Sequence, residues 1–396
     1  MTERTLAILG GSRRFAEPIY VTRPRLPDEA EVLELIGQVL RSRWLTNDGS
    51  VVRRLEDMLR LRMGVAFCAS FCNGTIALLA VLRALDLRGE VITTPFTFPA
   101  TVHAIEWAGL TPVFCDVDPQ TFNLDPQRAA TLVNENTSAL LPVHVYGNPC
   151  DVVALQRLSE QRGLAVVYDA AHAFGVHAEG APIGTWGDLS VFSFHATKLF
   201  QTAEGGAVTG GSDRLQERVR SLRNFGIVDE ETVRGVGING KMSELHAAVG
   251  IASLKVVDDE IRRRGDLAAR YRVQLEGVDG LDFQVPAPNM VSNHSYFVVA
   301  IDAERFGISR DLVHEALRAE NVITRKYFHP LCSDNDAYRH LPSAGPEHLP
   351  HAHRLAARVL CLPLHGDLCF DDVDAIADTV LRIREAAPAL RRRLDA

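Results

Sequence analysis

Residues 189–198 read LeuSerValPheSerPheHisAlaThrLys, an apolar strand-like run followed by a polar turn that ends on a lysine. Twenty-nine residues upstream of Lys198 stands Asp169, which closes a second apolar run, AlaValValTyr, and opens AspAlaAlaHisAlaPheGly (169–175). A lysine after one strand and a carboxylate after another form the pair that pyridoxal phosphate chemistry needs. The amine makes a Schiff base with the cofactor aldehyde, and the carboxylate keeps the pyridine nitrogen protonated so that the ring accepts electrons. Lysine is scarce here: only Lys198, Lys241, Lys255 and Lys326 occur among 42 basic residues. Arginine therefore carries solubility, and the apolar flanks of Lys198 should desolvate its amine and favour the nucleophilic form.

Moving outward, short apolar runs recur at 91–94, 112–117, 139–145, 164–168, 189–194 and 206–209, separated by helical stretches. Strands that alternate with helices predict a mostly parallel sheet covered on both faces, with polar motifs gathered where strands end. Residues 28–43 space Val32, Leu35, Ile36, Val39 and Leu40 at helical intervals behind an acidic start, which predicts an amphipathic helix. Residues 242–275 read as one long helical region with a solvated arginine face. Beyond about residue 280, strands are expected at 295–301 and 359–362 and helices at 309–320 and 371–387. The expected division is a large domain over 1–270 and a smaller C-terminal α/β domain over 271–396.

The 396 residues suit that two-part layout. Their 46% hydrophobic and 23% charged content is ordinary for a globular protein, and no run of eighteen apolar residues occurs. The opening MetThrGluArgThrLeuAlaIleLeuGlyGlySer has no basic segment followed by a long apolar stretch, so a cytoplasmic location is expected, with no membrane partner. A net charge of −8 argues against a nucleic-acid surface. The seven cysteines show no paired metal spacing; Cys68 and Cys72 come closest, without a second pair or a histidine couple, and no metal site is expected.

Any phosphate must then be held locally. Residues 235–242, GlyValGlyIleAsnGlyLysMet, match both a dinucleotide fingerprint and most of a P-loop as text. Neither has its context, because AspGluGluThrValArg precedes them in place of a strand and Met242 stands where a hydroxyl should ligate magnesium. AsnGlyThr (73–75) at the start of a helical run is a better cradle, offering free backbone amides and a hydroxyl. PheThrPhe (96–98) could place a ring over a flat heterocycle, although core packing explains either ring as well. His172, three residues past Asp169, could bond the cofactor's phenolic oxygen or hold Asp169, and His195 could act as acid or base.

These segments together resemble the DegT/DnrJ/EryC1/StrS sugar aminotransferases, within the fold type I superfamily of aspartate aminotransferase. The carriers are AsnGlyThr (73–75), ProPheThrPheProAlaThr (95–101), ProValHisValTyrGlyAsnPro (142–149), AspAlaAlaHisAlaPheGly (169–175), PheSerPheHisAlaThrLys (192–198), GluGlyGly (204–206) and GlyIleAsnGlyLysMetSerGluLeuHisAlaAla (237–248). The resemblance implies a seven-stranded, mostly parallel sheet and pyridoxal 5′-phosphate held by Lys198, with pyridoxamine 5′-phosphate as its alternate form. It further implies Asp169 at the pyridinium nitrogen, His172 near the phenolic oxygen, Phe98 stacked on the ring, and Gly74, Thr75 and Ser193 on the phosphate. Asn239 would reach that phosphate from a second subunit, recasting the glycine-rich stretch as a loop of a homodimer with shared sites. Thr46, Asn47, Lys241, Tyr327 and His329 lie in segments that match substrate-side loops.

Relatives with histidine in place of the lysine are dehydratases, so Lys198 favours transamination. HisAlaThrLys followed by ThrAlaGluGlyGly looks most like enzymes that aminate C4 of a nucleotide-linked 4-keto-6-deoxyhexose, with L-glutamate as donor. Such enzymes serve deoxyaminosugar and antibiotic pathways. The alternatives are amination at C3, a scyllo-inosose type aminotransferase, and a non-catalytic regulator that only binds the cofactor.

Overall fold

The computed structural model describes residues 5–394. The first four residues of the opening segment read above, and the last two of the expected C-terminal domain, lie outside it. Seven strands form the main sheet: β1 (Phe67–Phe71), β2 (Glu90–Thr93), β3 (Thr111–Phe114), β4 (Thr137–Leu141), β5 (Ala165–Asp169), β6 (Leu189–Ser193) and β7 (Gly206–Gly210). Their order is β1-β7-β6-β5-β4-β2-β3. From β6 through β3 every pairing is parallel. β7 runs antiparallel to both β6 and β1, so β1 points the same way as β6.

Side chains alternate across this sheet as the pleat requires. Phe67, Ala69 and Phe71 of β1 join one core, shared with Leu189 and Val191 of β6. Cys68 and Phe192 point to the opposite core. Helices α3 (Gly74–Ala84), α4 (Pro99–Trp107) and α7 (Asp213–Arg223) cover the first face, and α1 (Glu29–Ser42), α2 (Ser50–Arg62), α6 (Val152–Arg162) and α8 (Glu244–Leu254) the second. A short helix, α5 (Pro126–Leu132), lies beside α6. Because both faces are buried, the strands read as near-continuous apolar runs.

α1 starts where its sequence says it should. Asp28 accepts from Glu31 N at 3.0 Å, and Glu29 and Glu31 sit in the first turn. The 242–275 region corrects its expectation: it is two helices, α8 and α9 (Val257–Leu275), separated at Lys255 and Val256. No glycine or proline marks that break. α8 packs against α1 and α2, whereas α9 carries Leu267, Tyr271 and Leu275 into a different core.

That second core lies behind a three-stranded antiparallel sheet of β8 (Leu281–Phe283), β9 (Phe297–Ile301) and β10 (Val359–Leu362), in that order. Helices Arg310–Ala319 and Phe370–Glu385 complete it. α9 passes through residue 270 unbroken, and Leu6 from the start of the chain is buried in the same cluster. β1 is a seventh main strand where the sequence pattern had marked six.

Candidate active site

The parallel strands end along one edge, and the polar motifs converge there. Asp169 is the last residue of β5, Ser193 the last of β6, and Asn73 follows β1 to cap α3, its side chain accepting from Ile76 N at 2.9 Å. Because Asn73 O also takes Ala77 N, only the amides of Gly74 and Thr75 are left without a helical acceptor, a ready anion site. Space is tight on both sides of this cradle, and at Gly206 only glycine fits without a shift of backbone. A Cβ on Gly74 would stand 3.2 Å from the Ser193 Cβ, and one on Gly206 would press to 2.8 Å from the Asn73 backbone.

After β6 the chain folds into a tight hairpin toward β7. Phe194 N bonds Gly205 O and Ala196 N bonds Ala203 O, both at 2.8 Å, while Lys198 N bonds His195 O at 2.8 Å. This projects Lys198 into a cavity of about 560 Å³, a normal size for a small-molecule site. Its walls include Asp169, His172, Gly74, Thr75, Phe98, Ser193 and Tyr327, together with His195, Glu204 and Tyr296.

Electrostatics in the cavity follow from burial. Desolvation pushes the Lys198 amine down to about 8, with the Asp169 carboxylate acting in the opposite sense. Asp169, 5% exposed, is raised above its ordinary value by burial, against the pull of Thr101, Ala171 N and Lys198. Its Oδ2 accepts from Thr101 Oγ1 at 2.7 Å and its Oδ1 from Ala171 N at 3.0 Å. Thr101 in turn meets the Thr97 hydroxyl at 2.8 Å, and since it donates to Asp169 it must accept from Thr97. His172 is held uncharged, first by burial and then by the Lys198 charge. Its backbone carbonyl takes Asn293 Nδ2 and Ser295 Oγ, and its ring stacks on Phe328 with 3° between planes.

The two phenylalanines of residues 96–98 separate cleanly. Phe96 is fully buried among Phe122, Tyr146 and Phe328, whereas Phe98 is 58% exposed at the cavity. Tyr327 reaches the cavity, with Tyr146 Oη donating to its carbonyl. Other sequence candidates lie elsewhere. Asn47 and Lys241 line a separate, arginine-rich cleft of about 1560 Å³ with Arg88, Arg214 and Arg234. Asn239 is exposed and holds Lys241 Nζ at 2.7 Å, while Thr46 and His329 are exposed outside the cavity. Residues 233–239 form a loop bridged back to 224–227, Asn239 to Asn224 and Val233 to Ile227, not a strand-to-helix turn, so neither nucleotide fingerprint has its required geometry.

Thr101, Tyr296, Phe328 and the His195–Glu204 pair belong to this site and had been given no role in it from sequence, apart from His195 as an unspecific acid or base. Thr101 alone carried a local signal, its four-residue spacing from Thr97 across the start of α4.

The residues fit pyridoxal phosphate. The amides of α3 suit its phosphate, Asp169 its ring nitrogen and Lys198 its aldehyde. Buried His172 Nδ1 has no protein partner, and the glycine cradle leaves room beside Ser193. Fold and site define a fold type I, pyridoxal phosphate-dependent aminotransferase. More narrowly, residues 27–381 match the DegT/DnrJ/EryC1/StrS aminotransferase family, and the chain belongs to it.

Two relatives are dTDP-4-amino-4,6-dideoxy-D-glucose transaminases. The one from Shigella dysenteriae is 40% identical over 93% of this chain and 100% of its own length. The one from Escherichia coli is 42% identical over 88% of this chain and 94% of its own. The crystal structure of DesI in the presence of its TDP-sugar product superposes with a TM-score of 0.94 at 41% identity, covering 99% of both chains. Among the described residues no helix is long and apolar enough to cross a membrane.

Proposed function

We propose that this enzyme transfers an amino group from L-glutamate to C4 of dTDP-4-keto-6-deoxy-D-glucose, giving the 4-amino-4,6-dideoxy sugar. The observation that carries the reading is the near-full-length match, at 40–42% identity, to two transaminases of that sugar, in a chain that keeps Lys198 in the cavity. The cytoplasm, a deoxyaminosugar pathway of the antibiotic kind, and a homodimer with shared sites are parts of the same reading. Asn239 supports the dimer: it is exposed and stands outside the cavity of its own chain, in keeping with service to a partner's phosphate site.

Bound pyridoxal phosphate supplies an electron sink that labilises the proton on the carbon carrying the amino group. The protein does the rest. Lys198, its pKa lowered from the usual 10.5 to about 8, keeps a far larger neutral fraction near neutrality than an ordinary lysine, so its amine would hold the cofactor aldehyde and, once free, could move a proton to and from the reacting carbon. Thr101, Ala171 N and the neighbouring Lys198 oppose the burial that raises the Asp169 carboxyl, and that carboxylate would pair with the ring nitrogen. Phe98 and His172 orient the ring, while Gly74, Thr75 and Ser193 hold the phosphate.

Purified protein loaded with pyridoxal phosphate should convert its visible absorbance to that of the pyridoxamine form on adding glutamate. It should then aminate the dTDP-4-keto-6-deoxyglucose, with nitrogen at C4 by NMR. Nitrogen at C3, or turnover of scyllo-inosose alone, would replace the substrate assignment; no spectral change with any amino donor would make the protein a cofactor-binding regulator.

A further inference from the structure

Across the mouth of the cavity, beside Lys198, two polar side chains face each other with no close partner between them. His195 Nε2 stands 3.7 Å from Glu204 Oε1, and the side chains are 47% and 55% exposed. That separation is too long for a hydrogen bond. The His195 ring and the Glu204 backbone are nevertheless held in place. Thr197 N donates to His195 Nδ1 at 3.2 Å, and Thr197 Oγ1 lies 2.8 Å from the same atom. A backbone amide can only donate, so Nδ1 is the acceptor and the ring proton sits on Nε2. Glu204 is anchored by its neighbour Thr202, whose carbonyl accepts Glu204 N at 2.9 Å and whose Oγ1 donates to Glu204 O at 2.7 Å. The two rungs that tie 194–196 to 203–205 hold the pair in register.

The result is an oriented donor opposite a carboxylate carried on a held stretch of backbone, 3.7 Å apart, spaced so that one hydroxyl oxygen can accept from Nε2–H and donate to the carboxylate. We propose that His195 and Glu204 form such a pair and read the hydroxyl next to the reacting carbon of the keto sugar. The assignment rests on the substrate reading above. In a 4-keto-6-deoxyhexose the neighbouring hydroxyl is the one on C3, since C5 carries hydrogen, the C6 methyl and the ring oxygen but no hydroxyl. Lys198, three residues from His195 and bonded to its carbonyl, places the reacting carbon alongside. A site built to bond a hydroxyl discriminates strongly against its absence, because its own polar groups are then left unpaired.

The test uses the pyridoxal phosphate-loaded enzyme and two substrates, dTDP-4-keto-6-deoxyglucose and its 3-deoxy analogue. His195→Asn keeps an acceptor oxygen for Thr197 N but removes the Nε2–H donor; Glu204→Gln removes the carboxylate. Each should raise KM for the 3-hydroxy sugar about ten- to a hundredfold. The glutamate-driven spectral conversion should stay at the wild-type rate, and the penalty should vanish on the 3-deoxy analogue. His195→Gln, whose amide N–H reaches as far as Nε2–H, should recover part of the loss. Equal loss in both half-reactions, an equal penalty on both sugars, or no penalty would each overturn the pair. Wild-type enzyme that accepts glutamate but aminates no nucleotide sugar would overturn the substrate reading and this assignment together, an outcome distinct from wild-type turnover with indifferent variants.

Discussion

Lys198 and Asp169 lower the cost of each other's charge in a pocket that penalises both, and this leaves a measurable imprint on stability. Folded Lys198 gives up its proton at about 8, whereas its ordinary value is 10.5. Between those limits the unfolded chain binds more protons, so the unfolding free energy rises with pH; the contribution is complete above 10.5 and lost as pH falls to about 8. For apoprotein, the gap by which Lys198→Met exceeds wild type in urea unfolding should shrink by up to about 3 kcal/mol from pH 8 to 10.5. Buried tyrosines and cysteines, raised by burial, contribute alike to both proteins and cancel in the difference. A pH-independent gap would mean the amine is not desolvated. At this scale the sequence disclosed the lysine and the aspartate, because scarcity and strand-end position are local signals. It did not disclose the Thr97–Thr101–Asp169 chain, since Thr101 and Asp169 meet across 68 residues.

Elements were legible where their ends carry chemistry. α1 announces itself by an Asp cap, acidic first turn and helical spacing, and α3 by Asn73. The break between α8 and α9 has no such marker; it comes where the chain turns from the core that holds α8 and Val257 toward the second core that takes Leu267, Tyr271 and Leu275 of α9. α2 shows a second way in which distance decides. Its N-cap is Gly49, which offers no side chain, and the buried Glu244 of α8 accepts Gly49 N, Val51 N and Val52 N in its place at 2.8, 2.8 and 3.1 Å. Glu244→Ala would leave three donors unpaired, two of them buried, and should cost about 2 kcal/mol or more in chemical unfolding. A loss within a few tenths would show that water replaces the carboxylate.

For the whole molecule, the dimer reading has a direct consequence. If Asn239 serves a partner's phosphate site, Lys198→Ala and Asn239→Ala damage different halves of a shared site. Mixed after unfolding and refolding, or co-expressed, the two variants should form heterodimers with one intact site and regain turnover that neither shows at full level alone. No gain over the sum of the separate activities would place Asn239 outside any shared site.

The sequence by itself marked the lysine and aspartate proposed to hold the cofactor, the alternation of strands and helices, and the family, because each is written in short-range pattern: a lysine after a strand, glycine at a helix start, apolar runs at fixed spacing. Only the tertiary structure decided which candidates share a cavity. It buried Phe96 and left Phe98 at the opening, set Thr101 against Asp169, brought His195 opposite Glu204, and put Asn47 and Lys241 in a different cleft. Those placements depend on the order in which strands lie side by side and on which faces are buried, and both are settled by packing between segments far apart in the chain.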